Sequence, residues 1–379
     1  MIYLDNASTT RPSEGVKQAV AEALECFGNP SSMHRLGMRA ENIIKTAREN
    51  AARVINVRPE DIYFTSGGTE SNNTAILGYC RANAKKGRHI ITTQVEHPSV
   101  LSPFKLLEEE GFSVSYIGVD SNGVIRLDEL KEALSQDTIF VSIMLVNNEV
   151  GSIMPVEKIK PLIKELAPKA ALHVDAVQGY GKVVCKPKAW GIDMLSASGH
   201  KIHGIKGCGI LYAAGGINFR PLINGGGQQK NIRSGTENVV GIAAFSRASE
   251  EVLSYDSEKT GQLRELLKRG ITESIDNVVV HEAEKENQAG HILNVSFLGI
   301  KAEILLHSLE MHDIYVSTGS ACSTNKPAPS HVLSAMGCNN KEITGAVRFS
   351  LSDDLTPEDI DITVEALKKE VAQIRKYVR

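Results

Sequence analysis

The sequence predicts an α/β protein built on a mostly parallel sheet, and three observations carry that prediction. Short apolar runs alternate with amphipathic stretches of helical period through most of the chain. The 379 residues, 42% of them hydrophobic, suffice to bury a sizeable core and predict two lobes rather than one. After about residue 255 the pattern changes to charged helices and a few strands, the signature of a smaller α+β lobe.

Strands are predicted at Asp61–Thr65, His89–Thr92, Ser113–Ile117, Ile139–Leu145, Ala171–Val174, Met194–Ser196 and Gly209–Tyr212, short apolar runs mostly closed by polar or turn-forming residues. Between several of them, apolar residues at helical spacing predict helices over Ser99–Glu110, Leu127–Leu134 and Val156–Ala167. Downstream come a charged helix over Glu258–Ser274, strands near Asn277–His281 and His291–Phe297, a helix near Ala302–Glu310 and a final helix over Pro357–Tyr377. No internal repeat and no long Pro/Gly linker interrupts the chain, so the two lobes are expected to pack closely.

Charge and cysteine usage narrow the function classes. Lysine and arginine total 42 against 45 acidic residues, a net charge of -3 that gives no reason to expect direct nucleic-acid or membrane-surface binding. The opening MIYLDNASTT lacks the basic-then-apolar pattern of a secretory signal, and no run approaches a membrane span. Six cysteines at 26, 80, 185, 208, 322 and 338 form no CxxC pair, which argues against a zinc site and a disulfide framework. A reducing cytoplasm is the expected compartment, and no metal is expected.

Three features carry chemistry. In FTSGGTESNN, Gly67, Gly68 and Thr69 lead from a strand into a helix, a geometry that turns backbone amides toward a phosphate. Alone, that turn is equally a helix cap. In ALHVDAVQ, an apolar strand delivers Asp175 at its end with Gln178 just beyond; a carboxylate there holds a protonated heteroaromatic nitrogen, although a lone Asp more often caps a turn. In SASGHKIHGIKG, Lys201 sits among small residues and histidines, where desolvation favours the neutral amine that a Schiff base requires. Ser198 and His200 flank it and suit the same phosphate. Singly, Lys201 reads as a solvated lysine; combined with the strand-end Asp and the glycine turn, it points to pyridoxal 5'-phosphate.

YLDNASTT, GNPSSMH, FTSGGTESNN, VEHPSV, VNNEVG, HVDAVQ, SGHKIHGIKG, GGGQQKNIRSGTEN, STGSACS and VRFSLS occur in one order over nearly the whole chain. In these motifs the sequence resembles the cysteine desulfurases of the NifS/IscS type, within the fold-type I (aspartate aminotransferase-like) pyridoxal-phosphate enzymes. The resemblance implies a large seven-stranded sheet domain over residues 12–255 and a small domain over 1–11 plus 256–379. It implies that Lys201 holds the cofactor as a Schiff base, Asp175 pairs with the pyridine nitrogen, and Gln178 bonds the ring hydroxyl. His97 would stack on the ring and assist proton transfer. Gly68, Thr69, Ser198 and His200 would hold the phosphate, and Thr236 would reach the phosphate of a neighbouring subunit, which implies a homodimer. Asn148, at the cofactor, and Arg348 would bind the α-carboxylate of L-cysteine, a task for which a guanidinium fork is suited.

Cys322 selects among the chemistries of that fold. VSTGSACSTNKPAPSHV is rich in Ser, Thr, Gly and Pro, a composition suited to an exposed mobile loop where a thiolate can attack sulfur. The resemblance implies that L-cysteine becomes L-alanine while Cys322 becomes a persulfide, to be passed to an iron–sulfur scaffold or a tRNA-thiolating enzyme. The loop length matches the longer-loop group of the family; NKPAP after CST, and QQKN before IRSGT, depart from its commoner pattern and leave the acceptor open. An aminotransferase or selenocysteine lyase would share Lys201 and Asp175 without needing Cys322. A thiol-based metal or iron–sulfur carrier would bind metal and form no yellow Schiff base.

Overall fold

The computed structural model describes residues 1–318 and 329–377. In chain order the strands are β1 (Ile2–Tyr3), β2 (Ile62–Thr65), β3 (His89–Thr93), β4 (Ser113–Ile117), β5 (Thr138–Met144), β6 (Ala171–Asp175), β7 (Met194–Ser198), β8 (Gly209–Ala213), β9 (Val278–His281), β10 (Ile292–Phe297), β11 (Ile314–Tyr315), β12 (Ser317–Thr318) and β13 (Ala346–Ser350). The larger sheet has seven strands in the order β2-β8-β7-β6-β5-β3-β4. From β7 across to β4 every pairing is parallel, while β8 is antiparallel to both of its neighbours. It follows that β2 points the same way as β7. The turns after β2, β3, β5, β6 and β7 therefore open on one edge of the sheet, where ligands of open α/β folds bind.

Both faces of this sheet are covered, which is why apolar residues dominate its central strands. Ile90, Phe140, Met194 and Leu211 pack on one face with Tyr79 and Phe104. Their chain neighbours Ile91, Val141, Leu195 and Ile210 pack on the other, against Ala47 and Ala51 of helix Arg35–Ile55 and Phe245 and Ala248 of helix Val239–Glu251.

A second sheet, β12-β13-β10-β9, is antiparallel throughout. Helices Ser257–Ser274 and Pro357–Tyr377 cover it with Leu263, Leu267 and Ile271 and with Ile360, Val364, Leu367 and Val371, apolar stripes at helical spacing. β1 pairs in parallel with β11, and Ile2 and Leu4 join this second core. The chain thus starts in the second core before it builds the large sheet.

Element boundaries follow the sequence reading closely, with one informative difference. The expected helix Val156–Ala167 is a 3-10 turn, Val156–Lys158, followed by the α-helix Ile159–Leu166. Pro161 has no N–H to donate and is best tolerated in a first turn, and the α-helix begins two residues before it. Among the described residues no helix is long and apolar enough to cross a membrane.

Phe245 is 1% exposed, its ring 6.2 Å from Phe64 and 6.0 Å from Tyr180 between centroids. Phe245→Ala is expected to destabilise the chain by about 3–5 kcal/mol, the usual cost of emptying an aromatic core site. Urea unfolding measures it; a loss under about 1 kcal/mol would show that helix Val239–Glu251 is not anchored there.

Candidate active site

The turns at that sheet edge meet around a cavity of about 280 Å³ lined by Gly68, Thr69, His97, Asn148, Asp175, Gln178, Ser198, His200, Lys201 and Arg348 among others. After β2 the chain passes Gly67, at φ +152°, into helix Gly68–Asn73. A Cβ on Gly68 would stand 2.6 Å from Val177 Cγ2, and one on Gly209 would stand 2.6 Å from Gly67 Cα. The close approach of these backbones thus requires glycine. Ser198, ending β7, lies beside the Gly67–Gly68 turn, its Cβ 3.7 Å from where a Gly68 side chain would begin.

Asp175 ends β6 and is 5% exposed. Its Oδ2 accepts a 2.7 Å bond from Asn72 Nδ2, and its Oδ1 accepts one of 3.0 Å from the Val177 amide. Asn72 also donates to Ser99 Oγ at 2.8 Å, and Ser99 Oγ lies 2.8 Å from His97 Nδ1. His97 caps helix Pro98–Glu109, Nδ1 accepting from the Ser99 amide at 3.1 Å. An accepting Nδ1 assigns the ring proton to Nε2. One polar chain, Asp175–Asn72–Ser99–His97, therefore sets the orientation of both ring-binding candidates.

Lys201 closes the 3-10 turn Gly199–Lys201 after β7, and its Nζ donates to the carbonyls of Ala7 at 2.6 Å and Ser8 at 2.7 Å. The same N-terminal segment meets Arg348, which is 4% exposed on β13. Arg348 Nη2 donates to Asp5 Oδ1 at 2.8 Å and to Ser8 Oγ at 2.7 Å, while Nη1 donates to the Asn148 carbonyl at 2.8 Å. Its Nε is buried without a hydrogen-bond partner. A buried donor left open in this way is costly unless a ligand satisfies it.

Burial dominates the electrostatics. It pushes His97 below its ordinary range; Asp175 opposes the shift, and Lys201 and His331 add to it. It pushes His200 down to about 4, with help from Lys201, Lys206 and Lys182, so both rings are neutral at pH 7. Lys182, itself buried and facing Lys201, is pushed down to about 7. Glu96, fully buried beside His97, is pushed up to about 8 although Thr93 and the Met144 amide hydrogen-bond to it. The thiols of Cys185 and Cys208 are pushed up to about 12 by burial.

Of the residues singled out from the sequence, Thr236 lines a separate cavity of about 170 Å³ with Ser66, Arg233 and Glu237 rather than the Lys201 cavity. Cys322 and its loop lie outside the described residues. Asp5, Ser8, Asn72, Ser99, Glu96 and Lys182 were not singled out. Ser99, two residues from His97, had a local signal as a first-turn residue of the helix that His97 caps. Asp5 had none, because its partner lies 343 positions away. Among the described residues no group of three or more His, Cys, Asp or Glu is placed to hold a metal ion.

Pyridoxal phosphate fits this donor set. Gln178 Nε2 bonds the Ala7 carbonyl at 2.8 Å, but its buried Oε1 has no partner, which a ring hydroxyl would supply. The Asp175 carboxylate can accept further bonds, an amine stands across the cavity, and two glycines leave the phosphate side open to backbone amides.

The sequence pattern of the aminotransferase class-V family matches residues 2–363. Cysteine desulfurase IscS of Dictyoglomus turgidum is 41% identical over 378 residues, covering 99% of this chain and 95% of that protein. Cysteine desulfurase IscS 1 of Archaeoglobus fulgidus is 40% identical over 381 residues, covering 99% and 98%. Among solved structures, a NifS-like protein is similar with a TM-score of 0.92 at 38% identity, covering 98% of this chain and 99% of its own. A structure of SspA in complex with cysteine is similar with a TM-score of 0.83 at 33% identity, covering 93% and 99%.

Glu96 offers a test of the buried site. With its carboxyl raised from an ordinary 4.5 to about 8, the folded chain holds a proton that the unfolded chain has already lost. Its contribution to stability is whole below about pH 4.5 and is lost as pH rises toward 8. Glu96→Gln is expected to remove that decline, of up to about 1.4 kcal/mol per pH unit. Urea unfolding at pH 5, 6.5 and 8 measures it; parallel stability curves for the two proteins would contradict the assignment.

Proposed function

The chain belongs to the aminotransferase class-V family and is a pyridoxal-phosphate-dependent cysteine desulfurase, and from that premise we propose how its own residues divide the work. The observation that supports the division is the convergence of Lys201, Asp175, His97 and Arg348 on one cavity. L-cysteine is the substrate, its α-carboxylate held by Arg348 and Asn148. Arg348 brings an open Nε to that task and is oriented by Asp5 and Ser8.

Bound pyridoxal phosphate supplies an electron sink for the pair released from the α-carbon. Asp175 would hold its pyridine nitrogen protonated, Gln178 its ring hydroxyl, and Gly68, Thr69, Ser198 and His200 its phosphate. Lys201 Nζ, which would be the covalent anchor, would also be the base that takes the α-proton and the acid that returns one to the α-carbon of the product. His97, on the wall of the same cavity, keeps its proton on Nε2, from where it would assist proton transfer at the bound substrate. The Cys322 thiolate then attacks the substrate sulfur. The new S–S bond forms as the C–S bond breaks, the electron pair stays on the substrate carbon, and a proton converts that carbon to the methyl of L-alanine. The net change is cysteine plus enzyme thiol to alanine plus enzyme persulfide, with no external oxidant.

Around this core we place a homodimer in which Thr236 serves the phosphate of the neighbouring subunit. We also place a sulfur-acceptor protein that draws on the persulfide for iron–sulfur cluster assembly or tRNA thiolation in the cytoplasm. Residues 12–255 form the cofactor domain, and 1–11 with 256–379 form the domain that carries the cysteine.

Cys322→Ser is expected to abolish sulfide release from L-cysteine while the cysteine-induced absorbance change of the bound cofactor persists. Sulfide production that survives the substitution would remove Cys322 from the reaction. Arg348→Lys should raise KM for cysteine roughly 10- to 100-fold, the worth of one charge-assisted hydrogen bond. An unchanged KM would place the carboxylate elsewhere.

A further inference from the structure

Glu149 is adjacent to Asn148 and 4% exposed, yet the chemistry above does not use it. It sits in a tight turn after β5, where Asn147 Oδ1 accepts from the Glu149 and Val150 amides at 2.8 and 3.1 Å. Gly151 in the same turn is at φ +79°, and a Cβ there would stand 2.5 Å from Gln288 Nε2 and 2.9 Å from Ile292 Cβ. The turn is thus pressed onto the second sheet. Asn294, cross-strand neighbour of Arg348, donates to the Glu149 carbonyl at 3.1 Å.

The Glu149 side chain points to the other lobe of the same problem. Its Oε2 accepts a 2.5 Å bond from Ser330 Oγ, and Ser330 is 6% exposed. Ser330 Oγ also caps helix His331–Ala335 by accepting from the Leu333 amide at 3.1 Å. A hydroxyl has one proton to give, so the cap leaves Glu149 as the receiver of that proton. Next to it, His331 Nε2 lies 3.0 Å from the carbonyl of Glu96, the residue before His97. On the upstream side of the Cys322 segment, Ser317 and Thr318 of β12 pair with Arg348 and Val347. Both flanks of residues 319–328 are therefore fastened to the turns and strand that carry Asn148, His97 and Arg348.

We propose that Glu149 is a positioning residue for sulfur transfer, which through Ser330 holds the downstream flank of the Cys322 segment in register with the carboxylate-binding residues Asn148 and Arg348. The inference rests on the reading of Cys322 as sulfur acceptor. Cysteine binding needs only the cavity residues, whereas formation of the S–S bond also needs the Cys322 flank in place. Loss of the Glu149–Ser330 bond thus separates the two steps.

The test uses cofactor-loaded enzyme and two readouts. The dissociation constant of L-cysteine comes from the absorbance of the bound cofactor; the single-turnover rate of persulfide formation at Cys322 comes from quenching, alkylation and mass spectrometry. Ser330→Ala and Glu149→Ala are each expected to slow persulfide formation about 10-fold, as for a lost buried hydrogen bond, with cysteine affinity within about 2-fold. Ser330→Thr, which keeps the hydroxyl, should restore the rate, and the double alanine variant should be no slower than the slower single one. An unchanged rate in Ser330→Ala, a parallel loss of affinity and rate, or additive losses would each overturn the proposal. If Glu149→Ala does not fold, the Ser330→Ala and Ser330→Thr pair decides it. Sulfide release that survives Cys322→Ser would instead overturn the underlying reading. An inactive Cys322→Ser beside a wild-type Ser330→Ala would overturn this inference alone.

Discussion

The carbonyl oxygen of Ala7 accepts hydrogen bonds from Lys201 Nζ at 2.6 Å and Gln178 Nε2 at 2.8 Å, and the rest of the site is arranged around that one acceptor. The amide of the same residue donates to Ser350 Oγ at 2.8 Å, on the strand that carries Arg348. Asn6 adds a bond of 3.0 Å to the Ser350 carbonyl, and Thr10 takes up the His200 carbonyl through its amide at 2.8 Å. A segment of five or six residues thus ties the turn after β7 to β13. Since errors near 1 Å in a reacting geometry cost about 100-fold in rate, a strap of this kind does catalytic service without touching the reaction. It also explains why the chain begins in the second core: β1 beside β11 fixes where the strap starts.

The large sheet was legible because its central strands are buried on both faces and are dominated by apolar residues. ALHVD and the apolar runs at β5 and β8 announce themselves. Lys201, Asp175 and the glycine turn were legible for a related reason, since each ends a strand whose direction the fold dictates. What could not be read were the polar groups that support them. Asn72 lies in the polar run TESNN and Glu149 in VNNEVG, compositions that look solvent-facing, yet Asn72 is fully buried and Glu149 nearly so. Polarity in a sequence does not say whether the partner is water or another side chain. Here the partners are often far along the chain: Asn72 meets Asp175 at a separation of 103 residues, and Glu149 meets Ser330 at 181.

Burial sets the protonation of the site. Neutral His97 and His200, a Glu96 raised to about 8 and a Lys182 lowered to about 7 are all products of burial beside other titratable groups. Each shift opposes stability somewhere in the pH range, because the folded chain must hold a protonation state that water would not choose. Functional sites keep such groups since ring orientation and proton placement need a dry environment. The orphaned atoms fit the same proposal: Gln178 Oε1, a buried acceptor, and Arg348 Nε, a buried donor, have no hydrogen-bond partner within the chain and are open to a ligand.

Burial also bears on which sulfur can receive sulfur. A nucleophilic cysteine must reach the thiolate near neutral pH. Cys185 and Cys208, raised to about 12, and Cys80, raised well above its ordinary range by complete burial, stay protonated and inert. Cys338 is raised as well, and its Sγ lies 3.5 Å from His281 Nδ1 beneath the second sheet's edge strand β9 rather than at the Lys201 cavity. Cys26 follows helix Glu14–Leu24 and does not line that cavity either. Among the described residues the cavity wall carries no cysteine, which supports the proposal that the thiol comes from another segment. The segment whose two flanks are fastened to Arg348 and to Glu149 is the one that carries Cys322, so the burial of its siblings and the anchoring of its neighbours argue independently for the same proposed acceptor.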